Sequence, residues 1–155
     1  MTKYPNSLEY CSSVWSPHKI RDIEALERVQ RYFTRKLYGL KSFTYNERLT
    51  FLDLESLELR RLKADLIMYF KILHNHVDVE KSDFFSLAHN SYGTRGHNLK
   101  LKKSAFGNNC FENILANRCV SCWNWLPDEM VNSPSVFSFR RKLDKIDLSI
   151  FLKKG

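Results

Sequence analysis

Glycine and proline are scarce in this chain, 5 and 4 among 155 residues, and 43% of the residues are hydrophobic. Collagen-like, low-complexity and disordered compositions are thereby excluded, since each needs far more Gly and Pro or far less apolar content. Long apolar runs are missing too. The densest, Leu66-Ile67-Met68-Tyr69-Phe70, is closed by Asp65 and Lys71, against the roughly 18 to 20 residues a membrane-spanning helix needs. No membrane partner is expected. Met1 to Cys11 holds Lys3 and Glu9 and no apolar stretch of a secretory leader, so an intracellular protein, cytoplasmic or nuclear and not secreted, is expected.

Catalytic signatures are absent as well. There is no Gly-x-Ser-x-Gly elbow and no Walker or dinucleotide glycine pattern. The paired carboxylates, Glu24 with Glu27, Asp78 with Glu80, Asp128 with Glu129 and Asp144 with Asp147, sit among other charges. A two-metal site needs carboxylates converging on one pocket from rigid elements, so neither an enzyme, a cofactor nor a small-molecule substrate is expected. Cys11, Cys110, Cys119 and Cys122 are expected as free thiols, because a chain of this length builds a core without disulfide staples. Cys119-Val120-Ser121-Cys122 has the spacing of half a zinc site, but Cys110, His97 and Cys11 offer no second pair. Two small buried residues on a helix face is the expected role. His74 and His76 lack a carboxylate at ligand spacing, and helix-end charge complementarity or solvent exposure accounts for them. No metal is expected.

What is present is helical periodicity. From Ile20 to about Tyr38, Ile23, Leu26, Phe33 and Leu37, with Val29 and Tyr32, recur at three- and four-residue spacings, and Gly39 offers a stop. Thr44 to Asp53 is a shorter helix with Tyr45, Leu49 and Leu52 on one stripe and a Thr44/Glu47 capping box. From Ser56 to Asn75 the strongest helix runs through Leu59, Leu62, Leu66, Tyr69 or Phe70, and Leu73, interrupted by Arg60, Arg61, Lys63 and Lys71. Residues 76–110 read as an irregular excursion, with His97 to Lys103 alternating as a short strand. Helical spacing returns at 111–123, Pro127 ends what precedes it, and Ser135 caps a last helix to 147 with Phe139, Leu143, Ile146 and Ile150 as its stripe. The expected fold is mainly α: a single domain over 1–155, a small helical module of four to five helices with its helical core at 20–75 and 111–147, a long irregular excursion and one short β-hairpin. Leu26, Phe33, Leu62, Leu66, Phe70, Trp123 and Phe139 are expected to pack it.

Charge is the remaining signal. Of a net +8, residues 93–155 carry 11 basic and 5 acidic side chains, a field that concentrates polyanions. Arg95, Lys100, Lys102, Lys103, Arg140, Arg141, Lys142 and Lys145 are therefore the candidate contacts to RNA or single-stranded DNA. Basic and aromatic residues interleave in Arg28 to Tyr38 and Phe137 to Lys145, a pattern that suits phosphate and base contacts. The competing expectation places Phe33 and Phe139 in the core and their arginines on solvated faces.

Several phrases recur in a recognisable order: Val14-Trp15-Ser16-Pro17; Ile23-Glu24 and Glu27-Arg28-Val29-Gln30-Arg31-Tyr32-Phe33-Thr34; Tyr45-Asn46-Glu47-Arg48-Leu49; Leu54-Glu55-Ser56-Leu57-Glu58-Leu59-Arg60-Arg61 with Asp65-Leu66; then Thr94-Arg95-Gly96, Asn117-Arg118 and Trp123-Asn124-Trp125-Leu126-Pro127. From about Leu8 to Leu143 the chain resembles the region following the polymerase palm in non-LTR (LINE-type) retrotransposon reverse transcriptases. The resemblance implies a helical extension beyond the thumb that helps hold template RNA or target DNA. It also implies a non-catalytic remnant, because the Tyr/Phe-x-Asp-Asp motif of DNA synthesis and the family's endonuclease are not among these residues. A module docking on a reverse transcriptase core, with no nucleic-acid contact of its own, is the alternative implication. Cys119 and Cys122 depart from the apolar or basic residues usual before the family's tryptophan.

Overall fold

The computed structural model describes residue 12 and residues 16–88, 96–103 and 115–153. Trp15, Arg95, Cys11, Cys110, His89 and the start of the helix expected at 111–123 lie outside the described residues. Among the described residues the fold is mainly helical with one two-stranded antiparallel pair, and its contacts divide into two compact units, Met1–Arg61 with Leu152–Gly155, and Leu62–Phe151.

The first unit holds α1 (Ile20–Lys36), α2 (Tyr45–Phe51) and the first turn of α3 (Leu57–Leu73). Arg35 and Lys36 in the last turn of α1 offset its carbonyl-end dipole. Leu37 then turns extended, and a reverse turn closes Leu40 N–H onto Leu37 O at 3.2 Å, with Gly39 at φ +78 where a side chain would be strained. The helix thus ends before the glycine expected to stop it. Thr44 caps α2 as expected: its side chain accepts from Glu47 N–H while Glu47 accepts from Thr44 N–H at 2.7 Å.

The inward face of α1 is a correction. Its buried residues are Gln30 and Thr34, flanked by half-buried Ile23, Leu26, Glu27 and Leu37, whereas Phe33 and Tyr32 are each 65% exposed. The apolar stripe failed because the centre of this unit is polar. Gln30, Thr34, Arg48 and Glu27 find hydrogen-bond partners there, which removes the penalty that normally drives such groups outward.

In the second unit, α3 from Leu62 onward buries Leu66, Tyr69, Phe70, Ile72 and Leu73. It ends in two hydrogen bonds, His76 N–H to Lys71 O at 2.7 Å and Asn75 N–H to Ile72 O at 3.2 Å, with Asn75 left-handed at φ +57. The segment expected to be irregular contains α4 (Lys81–Phe84) and strand β1 (Ser86–Leu87), which pairs with β2 (Leu101–Lys102). Alternation holds, with His97 and Leu101 buried and Asn98 and Lys102 exposed. The expected helix at 111–123 is broken at Cys119 into α5 (Leu115–Arg118) and α6 (Val120–Trp125). Leu126 is extended, as the residue before Pro127 must be, and α7 (Asp128–Val131) follows. Ser135 caps α8 (Val136–Leu143) by accepting from Ser138 N–H at 3.1 Å, and a 3-10 turn occupies Ser149–Phe151. Because α8 stops four residues short of the expected end, its stripe changes: Phe139, Leu143 and Leu148 are buried, while Ile150 is 65% exposed. Phe70 stacks on Phe139 with ring centres 4.5 Å apart, and Trp123 lies 6.1 Å from Phe139 and 5.8 Å from Tyr69.

Candidate nucleic-acid interface

Several polar residues of the ordered phrases build the interior. In the first unit Gln30 donates to Tyr45 Oη at 3.1 Å and to Glu55 O at 3.0 Å, and accepts from Arg60. Glu27 accepts from Tyr45 Oη and from Leu57 N–H at 3.0 Å, so a carboxylate satisfies a free N–H at the positive end of α3. Burial, reinforced by Glu27, raises the Tyr45 phenol well above its ordinary value. Arg48 donates to Thr34 Oγ1 at 3.2 Å and to Phe43 O at 2.5 Å. Arg61 is buried. Pro17 is half-buried beside the start of α1.

The second unit uses its motif residues in the same way. Arg118 grips Asp65 with two bonds, Nε to Oδ2 at 2.7 Å and Nη2 to Oδ1 at 2.6 Å, and the Cys119 thiol adds a contact to Oδ2 at 3.6 Å. Burial disfavours the Arg118 charge, yet the bonds and charge of Asp65 outweigh it and raise its pKa. Asn117 is buried beside them. Asn124 mimics a strand by accepting from Leu101 N–H and donating to Leu101 O, both at 2.8 Å, while Trp123 Nε1 donates to Leu99 O at 2.8 Å. His97 Nε2 donates to Trp123 O at 3.1 Å. The Trp123-Asn124 pair therefore holds the whole stretch from His97 to Leu101, with Gly96 at φ +113 where it begins. Leu126 is buried, and Pro127 forms the N-terminal boundary of α7.

Other charged and titratable residues lie in this interior, and for His74 this corrects the expectation of a helix-end charge or a solvent-exposed ring. Lys63, which interrupts the apolar stripe of α3, is buried and reaches Asp144 at 3.0 Å, and Asp65 is buried too. His97 is buried, and burial holds it below the usual imidazole range despite its bond to Trp123 O. His74 is half-buried and donates to Val131 O at 2.9 Å, and burial lowers its pKa too. Cys119 and Cys122 pack in the core as expected, and burial pushes the Cys122 thiol up to about 12.

The candidate cations are placed unevenly. Lys102, Lys103, Arg140, Arg141 and Lys145 are exposed, Lys100 is half-buried, and Lys142 is held by Glu129 O at 2.5 Å. On α8 the buried face carries Phe139 and Leu143, and the opposite face carries Phe137, 70% exposed, with Arg141 over its ring at 5.9 Å and Arg140 one turn away. Phe137 opens the segment of interleaved basic and aromatic residues that ends at Lys145. Its outward position follows from Phe139, two residues on, pointing to the core. Comparison with protein-family models, with curated proteins and with solved structures returns no match to this chain.

Proposed function

We propose that this chain is a non-catalytic helical module of reverse-transcriptase descent that holds RNA or single-stranded DNA with little sequence preference. The outer face of α8 carries the reading: Arg140 and Arg141 flank an exposed Phe137, with Lys145 one turn further on. Cations beside an exposed ring suit a strand whose phosphates need charge and whose bases need a stacking surface. The ordered resemblance to the post-palm region of LINE-type reverse transcriptases supports the same assignment. On this reading the chain synthesises and cleaves no nucleic acid itself.

A labelled oligouridine titrated against the full chain by fluorescence anisotropy tests it. With Lys102, Arg140, Arg141 and Lys145 each neutralising one phosphate, this surface alone contributes about −2.8 to the slope against log salt, an affinity loss of roughly 50-fold between 50 and 200 mM. Replacing Arg140, Arg141 and Lys145 by glutamine is expected to flatten that slope by about 2.1. An unchanged slope removes α8 from the interface. The rival reading, docking on a reverse transcriptase core, draws on the exposed Trp125 and Ile150 of the same unit, and a flat salt response in the parent chain would favour it.

A further inference from the structure

We propose a second single-strand-binding surface on the first unit, formed by the outer face of α1 and the turn that follows it. It goes beyond the α8 assignment and depends on none of its residues. The sequence supplies the charge: from Arg28 to Asn46 there is no carboxylate, and Arg28, Arg31, Arg35, Lys36 and Lys41 all fall in that stretch. The fold supplies the orientation. Because Gln30 and Thr34 turn inward, helical spacing brings Arg28, Tyr32 and Arg35 into one outward row, with Lys36 over the Tyr32 ring at 5.2 Å.

Beyond the helix, Tyr38 stands fully exposed, and Arg35, Gly39, Lys41 and Ser42 line an open depression. A Cβ at Gly39 would meet nothing within 4 Å. No hydrogen bond or ion pair engages Arg28, Arg35 or Lys41 among the described residues. A depression edged by two unpaired cations and a hydroxyl suits a phosphate group. Tyr32, Phe33 and Tyr38 lie in the same stretch of chain and are exposed, and although Lys36 covers one face of the Tyr32 ring they offer aromatic surface on which bases can stack. An acidic peptide would satisfy the cations and leave three rings in water, which is why the occupant is a nucleic acid strand.

The full chain is titrated with labelled oligouridine and, as a charge-matched competitor, with oligoglutamate. Replacing Arg28, Arg35 and Lys41 together by glutamine is expected to lower the salt slope by about 2.1. Replacing Tyr32 and Tyr38 by alanine is expected to weaken oligouridine binding at least fivefold per ring while leaving oligoglutamate unaffected. Ultraviolet cross-linking of 4-thiouridine RNA, mapped by mass spectrometry, is expected to mark peptides within 28–43. All these side chains are exposed, and circular dichroism checks that the variants keep their helices. Absence of cross-links in 28–43 together with unchanged affinity overturns the proposal. Oligoglutamate displacing RNA at equal charge, with no effect of the tyrosine substitutions, overturns it in favour of an acidic protein partner. The variant in Arg140, Arg141 and Lys145 keeps its 28–43 cross-links if only the α8 reading fails, so the two surfaces fail separately.

Discussion

Replacing Arg118 by methionine separates a structural from a nucleic-acid role for the most polar of the ordered phrases. The Asp65 side chain is 4% exposed and that of Arg118 13%, and two short bonds join them across 53 residues of sequence. Methionine keeps much of the volume of the arginine stem, so the main change is an unpaired carboxylate in the core. Stripping one partner from such a buried pair costs about 3–5 kcal/mol, whereas removing both charges is near neutral, because desolvation offsets most of their attraction. Arg118→Met alone should therefore destabilise the chain by about 4 kcal/mol, while Asp65→Leu with Arg118→Met should recover at least 2 kcal/mol of that loss. Urea titration followed by tryptophan fluorescence reads the effect directly, since Trp123 is fully buried and in ring contact with Tyr69. The deficit should persist in 0.5 M salt, as a buried pair is shielded from counterions. A loss below about 1 kcal/mol for the single variant, or a double variant as unstable as the two single losses combined, would refute the reasoning.

Asn124→Ala should release the stretch from His97 to Leu101. It removes both bonds to the Leu101 backbone and leaves a buried N–H and C=O unpaired, a cost of about 2 kcal/mol; hydrogen exchange at Leu101 should rise, and an unchanged protection factor would count against the clamp. The histidines predict acid sensitivity. Burial lowers the pKa of His97 and of His74, so below the unfolded value of 6.5 the unfolded chain takes up protons that the folded chain refuses. Stability is therefore fully present above pH 6.5 and falls with pH below it, by up to about 1.4 kcal/mol per pH unit from His97. Its Nδ1 is buried without a hydrogen-bond partner and has no acceptor for the added proton. His97→Gln should show a shallower loss between pH 7 and 5 than the parent chain, and parallel curves would exclude the assignment.

Local chemistry was legible in the sequence. Helical spacing placed α1, α2, α3 and α8 to within a few residues, the Thr44/Glu47 box and Ser135 are caps in fact, Pro127 closes α6, and alternation set the inward side of His97 to Leu101. Each of these depends on neighbours within one or two turns of chain. The basic character of α8 was legible too, though not which of its cations are tethered, since Lys142 is fixed by Glu129 from another helix. Only the tertiary structure decided that Arg48, Arg61, Asp65 and Asn117 lie inside while Phe33 and Phe137 lie outside. Burying a polar group is favourable only when a partner waits, and the partners come from far along the chain: Asp65 for Arg118, Glu27 for the start of α3, Asn124 for Leu101. A periodicity argument ranks each residue by its own transfer free energy, and that ranking reverses where a distant side chain completes the hydrogen bonds.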